Sequence, residues 1–479
     1  MSQLRRLMEG YEMTALWTDT EAEAATGGTA TAPFAARGVS IDTRSLQPGD
    51  LFVALKDARD GHDFVAQAFA KGAAAALVDH VPAGVSGPCL VVGDVLAALT
   101  ALGAAGRARA RGRVIAVTGS VGKTSTKEML RDMLAEFGTV QAAEASFNNH
   151  WGVPVTLARL HAATDFSVIE IGMNHPGEIA PLAALAKPHV AMITTIAAAH
   201  LEAFDDLAAI ADEKASLFGA LEPGGKAVYN ADLETTPILR MAAGNSALSF
   251  GEAGEIHLSS LRHAHQALIA EARIEDASYL IRLADSGAHF GMNALGCMAV
   301  AKALGLDLAM AAQALGRWRP PLGRGKRETL VLDPAQEASF TLIDDAFNAN
   351  PASLAAALEV LAMTVPGPGG RRIAILGDML ELGPQEAALH REIASYPAIA
   401  SIDLVHCVGP RMAHLFAALP APKRGDCVPL ADDLGARVHT LVQPGDVVLV
   451  KGSKGSYVSR VVDALRNLGH TLTDDPSGE

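Results

Sequence analysis

Short, uniformly apolar runs separated by helical stretches dominate the chain and divide it into three blocks. In the first block, Asp50-Leu-Phe-Val-Ala-Leu55 reads as a strand. Asp63 to Ala70 reads as a helix ended near Gly72, and Ala74 to Val78 as the next strand. The block closes at an Ala/Gly/Arg-rich stretch around 100 to 112, which reads as a buried helix leading into a linker. The second block opens with the β-branched run Val114 to Val117, passing straight into a glycine loop and a helix beginning at Lys123. Further buried strands are expected at Ser167 to Ile171, Ala191 to Ile196 and Ala227 to Tyr229. Uniformly apolar strands alternating with helices indicate a mostly parallel sheet covered on both faces. The third block follows Arg319-Pro320-Pro321, where the prolines break the preceding helix. Strands are expected at Thr341 to Ile343, Ile373 to Leu376, Leu404 to Val408 and Val447 to Val450, with Pro351 opening a helix through Leu361. Proline at a first helical turn costs nothing, because its missing N–H would have no partner there. This pattern is that of a second doubly wound α/β unit.

Composition narrows the picture. A length of 479 residues suits about three domains. The formal net charge of −14 argues against a nucleic-acid partner, which needs a basic face. Mean hydropathy is +0.21. Nevertheless the longest near-apolar stretch, Val95 to Gly106, is too short for the ~20 residues of a spanning helix. Met1 to Tyr11 carries Arg5 and Arg6 with no apolar segment behind them, so no secretory signal is expected. Cys89, Cys297, Cys407 and Cys427 are widely spaced and contain no Cys-x-x-Cys pair, which fits reduced thiols in a cytoplasmic enzyme.

The strongest chemical signal is Val114-Ile-Ala-Val-Thr-Gly-Ser-Val-Gly-Lys-Thr-Ser-Thr126. Glycines let the backbone wrap an anion, and loop N–H groups together with a helix N-terminus stabilise phosphate charge. In this reading Gly119, Ser120, Val121, Gly122 and Ser125 form the cradle. Lys123 reaches the β- and γ-phosphates, and the Thr124 hydroxyl sits on Mg²⁺. The strict Gly-x-x-x-x-Gly-Lys-Ser/Thr form is absent, since Val117 occupies the first glycine position. A phosphate loop alone does not separate a kinase, a GTPase and a ligase.

Other residues in the middle block each leave two readings open. Glu170, ending an apolar strand, suits a Mg²⁺ ligand or a solvated strand end. His200 follows the third strand of the block and is a ligand or an ordinary hydrogen-bonded histidine. Lys214 alone would be a solvated helix lysine. Asn148-Asn149 is a polar turn that binds ligand or caps a helix.

Together these segments resemble the ATP-dependent Mur ligases of peptidoglycan synthesis, over nearly the whole chain. The resemblance rests on Thr118-Gly-Ser-Val-Gly-Lys-Thr124, Phe147-Asn-Asn-His-Trp-Gly-Val-Pro154, Ile169-Glu-Ile-Gly-Met-Asn-His-Pro-Gly-Glu178 and Ala199-His200. It continues in Gly287-Ala-His-Phe-Gly-Met-Asn293 and Leu322-Gly-Arg324. The most specific pieces are Ile343-Asp-Asp-Ala-Phe-Asn-Ala-Asn-Pro351 and Leu376-Gly-Asp-Met-Leu-Glu-Leu-Gly383. In the first block, Ile41-Asp-Thr-Arg44, Pro48-Gly-Asp-Leu-Phe-Val-Ala-Leu55 and Asp60-Gly-His62 are similar to the family's UDP-sugar domain.

The resemblance implies an α/β fold of three domains. These are a small UDP-muramyl domain (1–108), a central phosphate-loop ATPase domain (109–321) and a Rossmann-like doubly wound domain (322–479) that binds the incoming dipeptide and closes over ATP. The implied cofactors are ATP and Mg²⁺, and the implied substrates UDP-N-acetylmuramoyl-tripeptide and D-alanyl-D-alanine. Glu170 and His200 match the family's Mg²⁺ ligands, with Thr124, and Lys214 matches a lysine that becomes carbamylated and holds a second ion. Lys123, Glu170, His200 and Lys214 are thus the implied catalytic set. Asn293, Arg324 and Asp345 match nucleotide-contacting positions. Thr43, Arg44, Asn149, Asn348 and Asn350 fall on substrate-side segments. Departures are Ser216 for a common Glu, Phe347 for the usual Tyr and Thr43 for the usual Ser. A monomer that neither inserts into membranes nor binds nucleic acid is the expected form. Two alternatives remain at this point: a related amide ligase such as a folylpolyglutamate synthase, and a phosphate-loop switch without ligation chemistry.

Overall fold

The computed structural model describes residues 15–471 except 145, 265–266, 285–286, 334 and 336–337. Met1 to Tyr11, read above for the absence of a secretory signal, lie outside the described residues. Three main sheets follow one another along the chain: five strands within residues 29–91, nine within 113–284 and seven within 326–471.

The strand Arg113–Thr118 lies inside the nine-stranded sheet, between Phe166–Glu170 and Val190–Ile193, and is parallel to both. Its side chains alternate between two cores. Ile115 and Val117 pack with Met129, Met133 and Met298 on one face. Val114 and Ala116 pack with Ile169, Ile179 and Ile193 on the other. Each buried Val or Ile contributes roughly 1.5–3 kcal/mol, so this strand is fixed on both faces and its C-terminal end is a rigid base for the glycine loop. The expected strands at 167–171, 191–196 and 227–229 appear as Phe166–Glu170, Val190–Ile193 and Lys226–Asn230.

Two features differ from the sequence expectation. Beyond Ala247–Gly251 the sheet continues into an antiparallel meander, Ile256–Ala264, Ala267–Ile274 and Ala277–Ala284. Buried and exposed positions alternate along Ala267–Ile274, so a search for unbroken apolar runs passes over it. The supposed linker is the end of a helix, Val95–Arg109, whose start is capped by the Asp94 carboxylate accepting from Ala97 N. Arg107 donates to Ala186 O and Lys187 O (both 2.7 Å). Arg109 donates to Leu160 O and stacks 4.1 Å from the Trp17 ring. The arginines therefore stitch the first domain to the second.

In the third sheet a hairpin, Lys326–Asp333 with Ala338–Asp345, joins four parallel strands at 372–377, 404–408, 424–428 and 447–451. The helix Pro351–Met363 starts where expected, with the Asn350 side chain accepting from Ser353 N (2.9 Å). Among the described residues, no helix is long and apolar enough to cross a membrane.

Candidate active site

At the C-terminal end of Arg113–Thr118 the chain enters the loop 119–122 and then the helix Lys123–Leu134. Gly119 (φ +151°) and Gly122 (φ +86°) adopt backbone conformations that side chains disfavour. A Cβ on Gly119 would fall 2.0 Å from Thr194 Oγ1, and one on Gly122 would lie 2.9 Å from Asn293 Oδ1. The loop is clamped from the next strand: Ser120 N donates to Thr195 O (2.8 Å), and Thr194 Oγ1 donates to Val121 O (2.6 Å). Helix start, glycines and clamp together present backbone N–H groups to one point.

That point opens on a cavity of about 450 Å³ to which the central and third domains both contribute. Ser120 to Ser125, Asn149, Glu170, His200, Asn293, Arg324, Asp345, Asn348 and Asn350 all line it. Lys123 Nζ donates to Gly119 O (2.6 Å). Desolvation lowers its pKa, Arg324 adds to the effect and Glu170 opposes it. Glu170 Oε1 accepts from Thr124 Oγ1 (3.2 Å) and Asn148 Nδ2 (2.8 Å), while its Oε2 is buried without a hydrogen-bond partner among the described residues. A buried carboxylate oxygen left unpaired is costly, and a cation beside Thr124 and Glu170 would satisfy it. The donor set of one hydroxyl, one carboxylate and one imidazole is compatible with Mg²⁺.

From the third domain, Arg324 reaches into this site. Its Nη2 donates to Thr124 Oγ1 (3.0 Å), and its guanidinium lies 3.9 Å from the Phe347 ring centroid. The replacement of Tyr by Phe at 347 therefore keeps a flat face under Arg324. Asp345 pairs with the buried Lys451 (2.7 Å), which also donates to Asn348 O. Sequence reasoning missed Lys451, because a lysine closing an apolar strand carries no local mark. His289, quoted within a motif but given no role, also lines the cavity, and desolvation pushes its pKa down to about 4. At neutral pH its ring is uncharged.

The remaining expectations are distributed differently. Lys214, on the helix Leu207–Ala215, is 1% exposed, but it is not among the residues lining the cavity. No hydrogen bond or ion pair among the described residues engages its Nζ. Desolvation, reinforced by Lys123, holds its pKa well below the usual lysine range. Ser216 donates to Glu213 O, a local capping role. Thr43 and Arg44 of the first domain line a second cavity of about 850 Å³, to which Phe147, His150 and Trp151 of the central domain also contribute. Thr43 Oγ1 donates to Gln67 Oε1 (3.0 Å), and Arg44 pairs with Asp42. Asn149 Oδ1 accepts from Gly152 N in the turn before the helix Gly152–Ala158, and Asn350 caps the helix Pro351–Met363; both are cavity walls as well.

A glycine loop that receives an arginine from another domain, beside a second large cavity, defines a nucleotide-dependent enzyme that brings two substrates together. Comparison with known proteins specifies the class. The Mur ligase family catalytic domain matches residues 36–118, the Mur ligase middle domain 117–301 and the Mur ligase glutamate ligase domain 332–454. The chain is 37% identical over 445 residues to the UDP-N-acetylmuramoyl-tripeptide–D-alanyl-D-alanine ligase of Escherichia coli K12, covering 90% of this chain and 94% of that one. Crystal structure I of MurF from Acinetobacter baumannii superposes with a TM-score of 0.80 at 30% identity, over 94% of this chain and 99% of that chain. MurF ligase from Thermotoga maritima in complex with ADP gives 0.73 at 25% identity, over 90% and 97%. The chain belongs to the Mur ligase family.

Proposed function

We infer that the protein is an ATP-dependent ligase that joins D-alanyl-D-alanine to UDP-N-acetylmuramoyl-tripeptide, with release of ADP and phosphate. The observation that carries this reading is the meeting of Lys123, Glu170 and the third-domain Arg324 in one cavity, in a chain so similar to ligases of that name. In this reading residues 1–108 hold the UDP-sugar end in the cavity lined by Thr43 and Arg44. Residues 109–321 hold ATP, and 322–479 hold the dipeptide.

The chemistry is acyl activation. The loop N–H groups and Lys123 hold the γ-phosphate, and the peptide's terminal carboxylate oxygen attacks its phosphorus, releasing ADP and forming an acyl phosphate. The dipeptide's neutral amine then attacks the acyl carbon, the tetrahedral intermediate expels phosphate, and the amine loses its proton. Thr124, Glu170 and His200 are the residues that would hold Mg²⁺, which when bound supplies charge neutralisation for the phosphates. The protein's part is positioning and electrostatic preorganisation, which can correspond to effective concentrations of roughly 10⁵ M or more. Asn348 and Asn350 present amides on the third-domain wall to the incoming dipeptide, and Asn293 and Asp345 flank the nucleotide. Phosphate release measured with and without D-alanyl-D-alanine, across UDP-muramyl peptides, tests the reading. Release requires both substrates; ATP hydrolysis indifferent to the amine would overturn it.

Lys214 fits carbamylation, because burial disfavours the ammonium and so favours the neutral amine that adds CO₂: the nitrogen lone pair bonds to carbon and one proton is released. The product anion replaces an unpaired buried base with a group able to bind a cation. Incubation with ¹³C-bicarbonate is expected to give a carbamate carbonyl signal that Lys214→Ala lacks. That variant should lose about 100-fold in turnover, partly restored by short carboxylates. An unchanged spectrum in the variant would remove the assignment.

Lys451→Met leaves Asp345 without its cation. Breaking a fully buried pair costs roughly 3–5 kcal/mol, but the Asp345 side chain is 21% exposed and retains some solvation, so about 2 kcal/mol is expected. For a domain of this size that is a fall of about 4–8 °C in Tm by calorimetry.

A further inference from the structure

The segment between Gly377 and Gly383 is held from several sides. Asp378 Oδ1 accepts from Met412 N (2.9 Å), and Asp378 O from Ser453 N (3.0 Å). Met379 N donates to His390 Nε2 (3.1 Å), and Leu380 N to Ser453 Oγ (3.0 Å). The next residue, Glu381, adopts φ +63°, which few non-glycine residues tolerate. This braced third-domain loop aims the Glu381 carboxylate out of its own domain.

Its target is His200 of the central domain. Glu381 Oε2 lies 2.7 Å from His200 Nδ1, and His200 itself adopts φ +58°. The imidazole beside it holds the Glu381 carboxyl below its usual range. Glu202 N approaches Glu381 O at 3.4 Å, and a Cβ on Gly383 would lie 3.2 Å from Glu202 Cα, so the two loops are in close contact. Two left-handed non-glycine residues facing each other across a domain boundary are a strained arrangement that only surrounding structure sustains. The contact is an ion-pair approach without the directed geometry of a hydrogen bond, and it braces one edge of a ring that lines the cavity with Glu170.

We propose that Glu381 is a positioning residue for His200: the third domain supplies the carboxylate that sets the orientation of a central-domain metal ligand. The inference rests on the ligase reading only for the presence of a divalent ion. Outer partners of metal-bound histidines raise ligand basicity and hold the ring, and their loss typically costs about 10–100-fold in metal affinity. Here that partner sits on a different domain. Cation binding and docking of the third domain must therefore strengthen each other by the same factor. The device makes the metal site complete only when Arg324 is also over the phosphate loop.

The test uses the full-length protein with Mn²⁺ as probe and ADP as nucleotide, comparing Glu381→Ala and Glu381→Gln with the unaltered chain. Mn²⁺ affinity, read by electron paramagnetic resonance of the free ion, is expected to weaken about tenfold or more in Glu381→Ala. Glu381→Gln should fall between, because its amide keeps the shape and reach of the side chain but carries no charge. ADP affinity in EDTA stays within twofold. The Mn²⁺-dependent decrease in radius of gyration by X-ray scattering is reduced in both variants. Mn²⁺ affinity within twofold of the unaltered chain in both variants, or an equal loss of metal-free ADP binding, would overturn the proposal. Should the alanine variant not fold, the glutamine variant decides. Dipeptide-dependent phosphate release by the unaltered chain, measured in parallel, separates failure of the ligase reading from failure of this one.

Discussion

Replacing Lys123 by alanine is expected to reduce turnover by about 10³-fold or more while leaving the affinity for UDP-N-acetylmuramoyl-tripeptide within twofold. The size follows from where the cation stands. Lys123 opens the helix Lys123–Leu134, and its Nζ is tethered to Gly119 O at 2.6 Å within the loop. Folding has already met the cost of placing an ammonium in a desolvated site, which is why its pKa is lowered. Charge developing on the transferred phosphoryl group thus meets a fixed counter-charge without reorganisation. Removal of a single preorganised donor costs roughly 10²–10³-fold in kcat, and a full charge sits at or above that range. The second cavity, lined by Thr43, Arg44 and Trp151 and proposed above for the UDP-sugar, does not include Lys123, so binding there should not respond. Steady-state phosphate release and calorimetric titration of the UDP-linked peptide measure the two halves. A kcat within tenfold of the unaltered enzyme would show that the loop does not act on the γ-phosphate.

How much of this was legible in the sequence depended on whether a feature is local. The strand, glycine loop and helix at 113–134 are consecutive, so residue order alone gave the phosphate cradle and its lysine. Glu170 ends a neighbouring apolar strand, and adjacency of parallel strands brings it to Thr124. Lys451 and Glu381 could not be seen in this way. Lys451 meets Asp345 across 106 positions, and Glu381 meets His200 across a domain boundary. Nothing in the flanking residues marks either contact. At Asn350 a side chain that the resemblance places on the substrate side also caps a helix. The following Pro351 and Ser353 are ordinary capping neighbours, so that second role was written locally. Arg107 and Arg109 lie in the Ala/Gly/Arg-rich stretch that reads as leading into a linker. Here their partners are backbone carbonyls that only the packed second domain supplies.

Arg324→Ala is expected to lower kcat by about 10³-fold with a far smaller loss, of a few fold, in ADP affinity. Gly323 (φ +72°) and Gly325 (φ +89°) flank Arg324, and this sharp turn projects the side chain back across the domain boundary to Thr124 Oγ1. The guanidinium is held flat against Phe347 and attracted by Glu170 and Asp345, so its position is set before any substrate arrives. An arginine delivered from a second element to a phosphoryl-transfer site is worth roughly 10³–10⁵ in rate, acting on charge that appears during transfer more than on the bound nucleotide. Arg324→Lys should rescue little, because an ammonium neither stacks on the ring nor offers a planar fork. Phe347→Ala should cost about tenfold, consistent with a cation–π contact of roughly 0.5–2 kcal/mol, and Phe347→Tyr almost nothing. Rapid-quench measurement of acyl-phosphate formation separates these effects from product release. Equal losses in ADP binding and kcat for Arg324→Ala would show that the arginine holds the ground-state nucleotide and does not act in the transition state.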